Sequence, residues 1–324
     1  MEFSKKEVLQ VLNMPKQQFE AEIIPLTRKE NTKQLGDTLQ VRAMLGHTNI
    51  CKNNCLYCGM RASNKDIKRY RLPVEDILAS VNMAADNGFG HFFMIGGEDL
   101  GFGFDNVLKV VNAAKERNMF VSLACGEYTA EQYKLLKDAG CDEYVCKFEM
   151  SDPDTFDRLN PSTTFKKRMQ AIYDIQNSGM LLASGNIVGY PGQTLDMLAD
   201  DIMLMKELDI SWSPTIPYMP AKGTPLAAEG GRGDLLLNLK QIALVRLMIP
   251  GVNYTAQQPG ANPQNGLADL QGNLDAIDAG ANVLFCDLLP ETLAQNFKVI
   301  DRRNVTGTKH IFELEKHTGK TIVY

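Results

Sequence analysis

The chain has 324 residues, of which 44% are hydrophobic and 23% charged, and its formal net charge is −5 at pH 7. This composition supports a sizeable buried core, and the absence of lysine- or arginine-rich runs argues against a nucleic-acid partner. No apolar stretch approaches the roughly 18 residues of a membrane span, and residues 1–16 lack a signal-peptide pattern. We therefore expect a cytoplasmic protein with neither a nucleic-acid nor a membrane partner.

Beyond residue 38, short apolar runs alternate with amphipathic stretches. The apolar runs predict strands at Gln40–Leu45, His91–Ile95, Phe120–Ala124, Glu143–Phe148, Leu182–Val188, Ser211–Ile216, Val252–Ala256 and Asn282–Phe285. The amphipathic stretches predict helices at Val74–Asn87, Phe104–Arg117, Ala130–Ala139, Phe165–Ser178, Leu195–Leu208, Leu235–Met248 and Gly266–Asp278. This alternation is typical of βα units that share a parallel sheet. It predicts the α/β fold class, a (βα)8 TIM-type barrel whose chemistry lies in the loops after the strands.

The same pattern indicates a single domain with two extensions. Residues 1–37 are predicted to form a helical N-terminal extension, residues 38–290 the barrel, and residues 291–324 a C-terminal extension that packs on it. The segment Pro259–Gly266, rich in glycine, proline and asparagine, is predicted to be a loop over the barrel mouth.

Three of the seven cysteines follow the first predicted strand. Cys51, Cys55 and Cys58 form a C-x3-C-x2-C motif, with the aromatic Tyr57 before the last cysteine. Three thiolates on one loop suit three irons of a [4Fe–4S] cluster and leave the fourth iron open. A structural zinc site is the alternative, but it needs four ligands, and His47 is the nearest further donor in sequence.

The triad and several further motifs resemble the radical S-adenosylmethionine (SAM) superfamily. Within it, the chain resembles the biotin-synthase-like branch, nearest to the group of the hydrogenase maturase HydE and methylornithine synthase (PylB). The shared stretches are residues 54–61, 69–71, 97–99, 123–127, 188–194, 216–217, 223–226 and 279–282. The resemblance implies an anaerobic enzyme whose [4Fe–4S] cluster reductively cleaves SAM to a 5′-deoxyadenosyl radical. It also implies an electron donor such as flavodoxin or ferredoxin.

The resemblance extends to residues that contact the methionine part of SAM. Gly96, Gly97 and Glu98, at the end of the second strand, match the motif that receives the amino group, where small residues let backbone carbonyls approach. Arg168, early in the helix after the fourth strand, matches the arginine that pairs with the carboxylate of SAM.

Further positions match residues around the ribose and the adenine. Lys147 and Glu149 end the fourth strand and match the polar pair near the ribose, although relatives carry arginine or asparagine where Lys147 stands. Val188 and Gly189 match a stretch whose backbone flanks the adenine. The main chain of Tyr57 matches the position at the adenine edge.

Polar residues at the ends of later strands are candidates for substrate binding. They suit a small polar molecule, such as an amino-acid or cysteine-derived compound, from which the radical abstracts hydrogen or to which it adds. These candidates are Glu127, Thr215, Tyr218, Gln257, Gln258 and Asp287. No residue is assigned a catalytic role beyond binding.

Three other functions remain open from the sequence. A methylornithine-synthase-like mutase is disfavoured because the region 254–260 lacks a carboxylate. A sulfur-inserting enzyme with an auxiliary cluster at Cys125, Cys146 or Cys286 is disfavoured because Ala183 stands where such relatives have a strand-five cysteine. A non-catalytic iron–sulfur or zinc protein has no use for the SAM motifs.

Overall fold

The computed structural model describes residues 1–304 and 307–324. Its parallel strands are β1 (Thr38–Thr48), β2 (His91–Gly96), β3 (Phe120–Ala124), β4 (Glu143–Val145), β5 (Leu181–Ala183), β6 (Trp212–Ser213), β7 (Asn253–Tyr254) and β8 (Val283–Asp287). They neighbour one another in the order β7-β6-β5-β4-β3-β2-β1-β8. The ring closes through a parallel bridge between Thr255 and Val283, where the Ala256 N–H donates to the Val283 carbonyl at 2.8 Å. The predicted (βα)8 TIM-type barrel is confirmed.

Helices surround this barrel on its outside. They are α1 (Lys5–Asn13), α2 (Lys16–Glu22), α3 (Ile24–Leu35), α4 (Val74–Asp86), α5 (Phe104–Glu116), α6 (Ala130–Asp138), α7 (Pro153–Leu159), α8 (Phe165–Asn177), α9 (Leu195–Glu207), α10 (Leu235–Met248), α11 (Leu270–Asp278), α12 (Glu291–Ala294) and α13 (Thr308–Thr318). Polar N-caps begin many of them: the side chains of Thr129, Thr164, Thr194 and Asp234 each accept an N–H from the first turn. Among the described residues, no helix has the length and apolarity required to cross a membrane.

The N-terminal helices pack on the outer layer of the barrel. The buried face of α1 carries Val8, Val11 and Leu12, and this helix contacts α9. Its Lys5 also pairs with Asp200 on α9 at 2.7 Å. The N-terminal extension therefore packs against the barrel through α1 and also through α3, which contacts α10.

The second half of the chain departs from the predicted elements. Strands β4 to β7 contain two or three residues each, although the apolar runs predict longer ones. The predicted helix Gly266–Asp278 is broken at Asp269, whose side chain caps α11 by accepting the Gly272 N–H. A short strand that was not predicted, β9 (Thr321–Val323), pairs in parallel with the start of β1.

A cavity of about 480 Å³ lies at the N-terminal end of the barrel, beside β9. Its wall contains a buried ion pair between Arg42 and Glu143, whose side chains are both 1% exposed and lie 2.7 Å apart. The Arg42 guanidinium also lies 4.2 Å from the ring centroid of Trp212. This end of a TIM-type barrel serves stability, whereas functional sites lie at the other end.

Candidate active site

A second cavity, of about 380 Å³, lies at the C-terminal ends of the strands. It brings together twelve of the eighteen residues predicted to bind the cluster, SAM or the substrate, which come from the cysteine loop, the strand ends and α8. They are Cys51, Tyr57, Cys58, Gly96, Gly97, Glu98, Glu127, Lys147, Glu149, Arg168, Tyr218 and Gln257. The other six, which are absent from its lining, are Cys55, Val188, Gly189, Thr215, Gln258 and Asp287.

The cysteine loop is held in shape by main-chain hydrogen bonds. Arg69 donates from Nη1 to the carbonyls of Asn49 and Met60 at 2.6 and 2.8 Å. From Nη2 it donates to the carbonyls of Arg61 and Asn64 at 2.6 and 3.0 Å. A single guanidinium therefore fixes four carbonyls of residues 49–64. The stretch 69–71 was among those shared with the family, but the sequence did not predict this role for Arg69.

The three cysteines of the loop are partly buried, unpaired thiols. The Sγ of Cys51 accepts the N–H of Glu98 at 3.4 Å and that of Asn53 at 3.5 Å. Burial raises the pKa of Cys55 to about 12 and also raises the pKa of Cys58. A bound metal ion would hold these two sulfurs as thiolates at neutral pH.

The glycines that end β2 allow the strand to pack directly on this loop. A Cβ added at Gly97 would lie 2.2 Å from the Ile50 carbonyl oxygen and 2.8 Å from the Cys51 Cβ. At Gly96 the added atom would lie 2.4 Å from the His47 ring. Both positions thus need glycine for close approach, whatever ligand the cavity holds.

Two ion pairs order the wall formed by β4 and α8. The Nε of Arg168 donates to Glu127 Oε1 at 2.5 Å, and its Nη1 donates to the Lys147 carbonyl. Lys147 Nζ lies 2.9 Å from Glu149 Oε2. These four side chains are at most 23% exposed, so water screens their charges weakly.

The residues expected around adenine lie in the wall beyond β5. Val188 is fully buried, and its carbonyl accepts the Tyr218 N–H at 2.7 Å. The Gly189 N–H donates to the side chain of Gln193 at 2.5 Å. The hydroxyl of Tyr57 donates to Asn160 at 2.7 Å, which orients its ring beside the cavity.

Three of the substrate candidates lie behind the cavity surface. Thr215 is fully buried and accepts a hydrogen bond from Ser213 at 3.0 Å. Gln258 is 1% exposed and donates to the carbonyls of Thr215 and Thr255, at 2.9 Å each. Asp287 accepts hydrogen bonds from Arg303 and from the Leu289 N–H. Their hydrogen-bonding groups are thus directed to other parts of the protein.

The structure adds a part of the site that the sequence did not indicate. The segment after α12 folds over the cavity, which Phe297, Val299, Ile300, Arg303 and Asn304 line. No local pattern marks these residues, because their placement depends on the return of the chain from the far side of the barrel.

The remaining cysteines are buried. Cys125, Cys146 and Cys286 come from three different strand ends, and of the cysteines considered for an auxiliary cluster Cys146 is the one that lines the cavity. Within residues 1–304 and 307–324, no three His, Cys, Asp or Glu side chains form a group able to hold a single metal ion.

Comparisons with known proteins agree with the motifs. Residues 45–205 match the radical SAM superfamily. The chain is 32% identical over 298 residues to the [FeFe] hydrogenase maturase subunit HydE of Thermotoga maritima, an alignment that covers 92% of this chain and 84% of the relative. The chain belongs to the radical SAM superfamily. It is therefore an enzyme of a family that uses a [4Fe–4S] cluster and SAM.

Two further known proteins are similar to this chain over most of its length. A biotin synthase of Acinetobacter baumannii is 29% identical over 265 residues, which cover 77% of this chain and 75% of that one. The crystal structure of methylornithine synthase (PylB) superposes with a TM-score of 0.85, covering 100% of this chain and 95% of the other. Its sequence identity of 20% supports a shared fold alone.

Proposed function

We propose that this radical SAM enzyme acts as HydE-like enzymes do, cleaving SAM reductively to act on a small polar, amino-acid or cysteine-derived molecule. One observation carries the proposal: a single cavity joins the cysteine loop to two ordered ion pairs, Arg168 with Glu127 and Lys147 with Glu149. An electron carrier or a zinc-stabilised barrel requires no such cavity. By resemblance, a flavodoxin or a ferredoxin supplies the electron.

The cysteine loop fits a [4Fe–4S] cluster. Cys51, Cys55 and Cys58 would hold three irons, and the N–H groups of Asn53 and Glu98 already point to the Cys51 sulfur. When bound, the cluster supplies the electron that breaks a carbon–sulfur bond of SAM and releases the 5′-deoxyadenosyl radical. The loop contributes rigidity, because Arg69 fixes its carbonyls.

We assign the methionine end of SAM to the β2 and α8 sides of the cavity. The carbonyls at Gly96 and Gly97 would accept the ammonium hydrogens. Arg168 Nε and Nη1 are engaged by Glu127 and by the Lys147 carbonyl, which fixes the guanidinium plane. Its remaining nitrogen, Nη2, would bind the carboxylate of SAM, a charge-assisted contact made without reorganisation.

The rest of SAM is assigned to β4 and β5. Glu149 and Lys147 would contact the ribose side, where the carboxylate of Glu149 is an acceptor for hydroxyl groups. Tyr57 would meet the adenine edge through its main chain. Since Val188 and Gly189 lie behind the cavity surface, we propose that they support the adenine site through their backbone.

The interior of the barrel is suited to protecting a reactive intermediate from water. Phe93, Trp212 and Phe285 form an aromatic floor, with the rings of Phe93 and Trp212 edge to face at a centroid distance of 5.1 Å. Phe297 belongs to the segment that covers the opposite side. Exclusion of water limits side reactions of the radical. The enclosing walls also hold the substrate so that the C–H bond to be broken lies close to the radical.

Among the substrate candidates, Tyr218 and Gln257 line the cavity and remain in our proposal. Glu127 is better placed to orient Arg168. Thr215, Gln258 and Asp287 are proposed as supports of the wall. A sulfur-inserting reaction remains the second candidate, because Cys146 lines the cavity. Counting irons separates the two: about four per chain indicate one cluster, and about six to eight indicate an auxiliary cluster.

The test is anaerobic cluster reconstitution, reduction with dithionite, and measurement of 5′-deoxyadenosine after SAM is added. The Cys55→Ala variant is compared with Cys141→Ala, which removes a fully buried cysteine outside the cavity. We expect product from the wild type and from Cys141→Ala, and none from Cys55→Ala. Equal product from all three, or no SAM binding by the fully loaded wild type, would contradict the proposal.

A further inference from the structure

The segment that covers the cavity places one arginine inside it. Arg303 lines the cavity, and its side chain is 13% exposed. Its Nη2 donates to Asp287 Oδ2 at 2.6 Å, and its guanidinium carbon lies 5.0 Å from the ring centroid of Phe297. A carboxylate at the end of β8 and an aromatic face therefore hold this guanidinium in one orientation.

Part of that guanidinium lacks an acceptor. Within the described residues, Arg303 Nη1 is buried and has no hydrogen-bond partner. The hydroxyl of Tyr218, which lines the same cavity, is likewise buried without a partner. Burial raises the pKa of Tyr218 to about 12, so the hydroxyl keeps its proton at neutral pH. Buried donors without acceptors are unfavourable, above all charged ones, so the cavity calls for a ligand that brings acceptor atoms.

The position of Arg303 separates it from the residues proposed for the carboxylate and the ribose of SAM. Lys147 and Glu149 follow β4, and Arg168 lies on α8, which follows β4 in the chain. Arg303 is bound to the end of β8, which the strand order places across the barrel from β4. The orphaned nitrogen is therefore available to a second molecule that lies between these two walls.

The charges on this side of the cavity indicate what that molecule carries. Asp287 already balances the charge of Arg303, and its side chain is 1% exposed. The two hydrogens on Nη1 can still donate to an anionic oxygen in a charge-assisted hydrogen bond, and a monoanionic carboxylate needs less compensating charge here than a phosphate dianion does.

We propose that Arg303 binds a carboxylate of the substrate and that Asp287 and Phe297 position its guanidinium. The substrate class is then a small carboxylic acid, amino acids included, held with its reacting carbon toward the SAM side. This inference rests on the proposed function and deepens it, because it assigns a specificity-determining residue in the C-terminal extension.

The test uses acids and their amides as probes, with the reconstituted enzyme measured both with and without SAM. Binding of L-alanine, L-cysteine and succinate is compared with that of L-alaninamide, L-cysteinamide and succinamide by saturation-transfer NMR. We expect each acid to bind about tenfold or more tightly than its amide. The Arg303→Gln variant should lose this preference, and Arg302→Gln, which alters the exposed neighbouring arginine, should keep it.

A second variant guards against a folding defect. Arg303→Gln leaves Asp287 buried and unpaired, so the double variant Asp287→Asn/Arg303→Gln removes both charges together. The inference is overturned if amides bind the wild type as tightly as acids do, if no acid binds, or if the double variant keeps the preference. Failure of the proposed function is a different result: the loaded wild type would discriminate acids from amides but would not bind or cleave SAM.

Discussion

Replacing Gly97 with alanine would test how the end of β2 shapes the cysteine loop. The new Cβ would lie 2.2 Å from the Ile50 carbonyl oxygen and 2.8 Å from the Cys51 Cβ. Neither neighbour is the free end of a flexible side chain, so the backbone must move. Overpacking of this kind lowers the free energy of unfolding by about 1–3 kcal/mol. The displacement falls on Cys51, whose sulfur accepts the Glu98 N–H at 3.4 Å.

Two measurements would follow the change: anaerobic urea unfolding of the cluster-free chain, and iron content after reconstitution. Gly231→Ala is the matched control, because nothing lies within 4 Å of its added Cβ and its backbone is outside the left-handed region. We expect Gly97→Ala to lose stability by the amount above and to retain less iron, and Gly231→Ala to do neither. If Gly97→Ala unfolds and loads iron as the wild type does, then close packing of β2 does not constrain the cysteine loop and the reasoning is refuted.

Three further predictions concern other buried groups. Arg42→Met leaves the buried Glu143 without its cationic partner and should lower the free energy of unfolding in urea by about 3–5 kcal/mol. The double variant Arg42→Met/Glu143→Gln should recover much of this loss, and equal losses in the two variants would contradict the prediction. Burial lowers the pKa of His47 from 6.5 to about 4. The neutral ring therefore contributes its full stabilisation above about pH 6.5, and this contribution is lost as the pH falls toward 4. In His47→Gln, the free energy of unfolding should depend less on pH between these two values. Glu149 has a φ of 62°, so Glu149→Gly should be about 1 kcal/mol more stable than Glu149→Ala by urea unfolding, with equally weakened SAM binding.

The first three strands and the last were predicted within a few residues, whereas the middle four were predicted too long. The run Glu143–Phe148 is an example: β4 ends at Val145, yet Phe148 is fully buried. An apolar run reports burial, and here burial continues after the backbone has left the hydrogen-bonded ladder. Where a strand ends depends on the segment that pairs with it in the sheet, and a local sequence pattern does not contain this information.

Only part of the candidate site could likewise be predicted from the sequence. The cysteine spacing is local, so the loop at Cys51 could be found directly, and the family resemblance then indicated Glu149 after the fourth strand and Arg168 in the following helix. The direction of Thr215 and Gln258 could not be predicted, since β6 and β7 are too short to carry a regular alternation of faces. The place of Arg303 in the site could not be predicted, because no local pattern shows that it contacts Asp287 in the folded chain.

The two halves of the barrel differ in strand length, and the half with short strands carries the β4 side of the proposed SAM site. Strands β1, β2, β3 and β8 contain five to eleven residues each. Beyond β4, the left-handed backbone of Glu149 is enforced by two hydrogen bonds: its N–H donates to the Gly185 carbonyl at 3.0 Å, and its carbonyl accepts the Ile187 N–H at 2.9 Å. Such a conformation costs about 1–3 kcal/mol in a non-glycine residue, so the surrounding structure must hold it in place. The Glu149 side chain, paired with Lys147, is thereby held at the cavity wall beyond the end of β4.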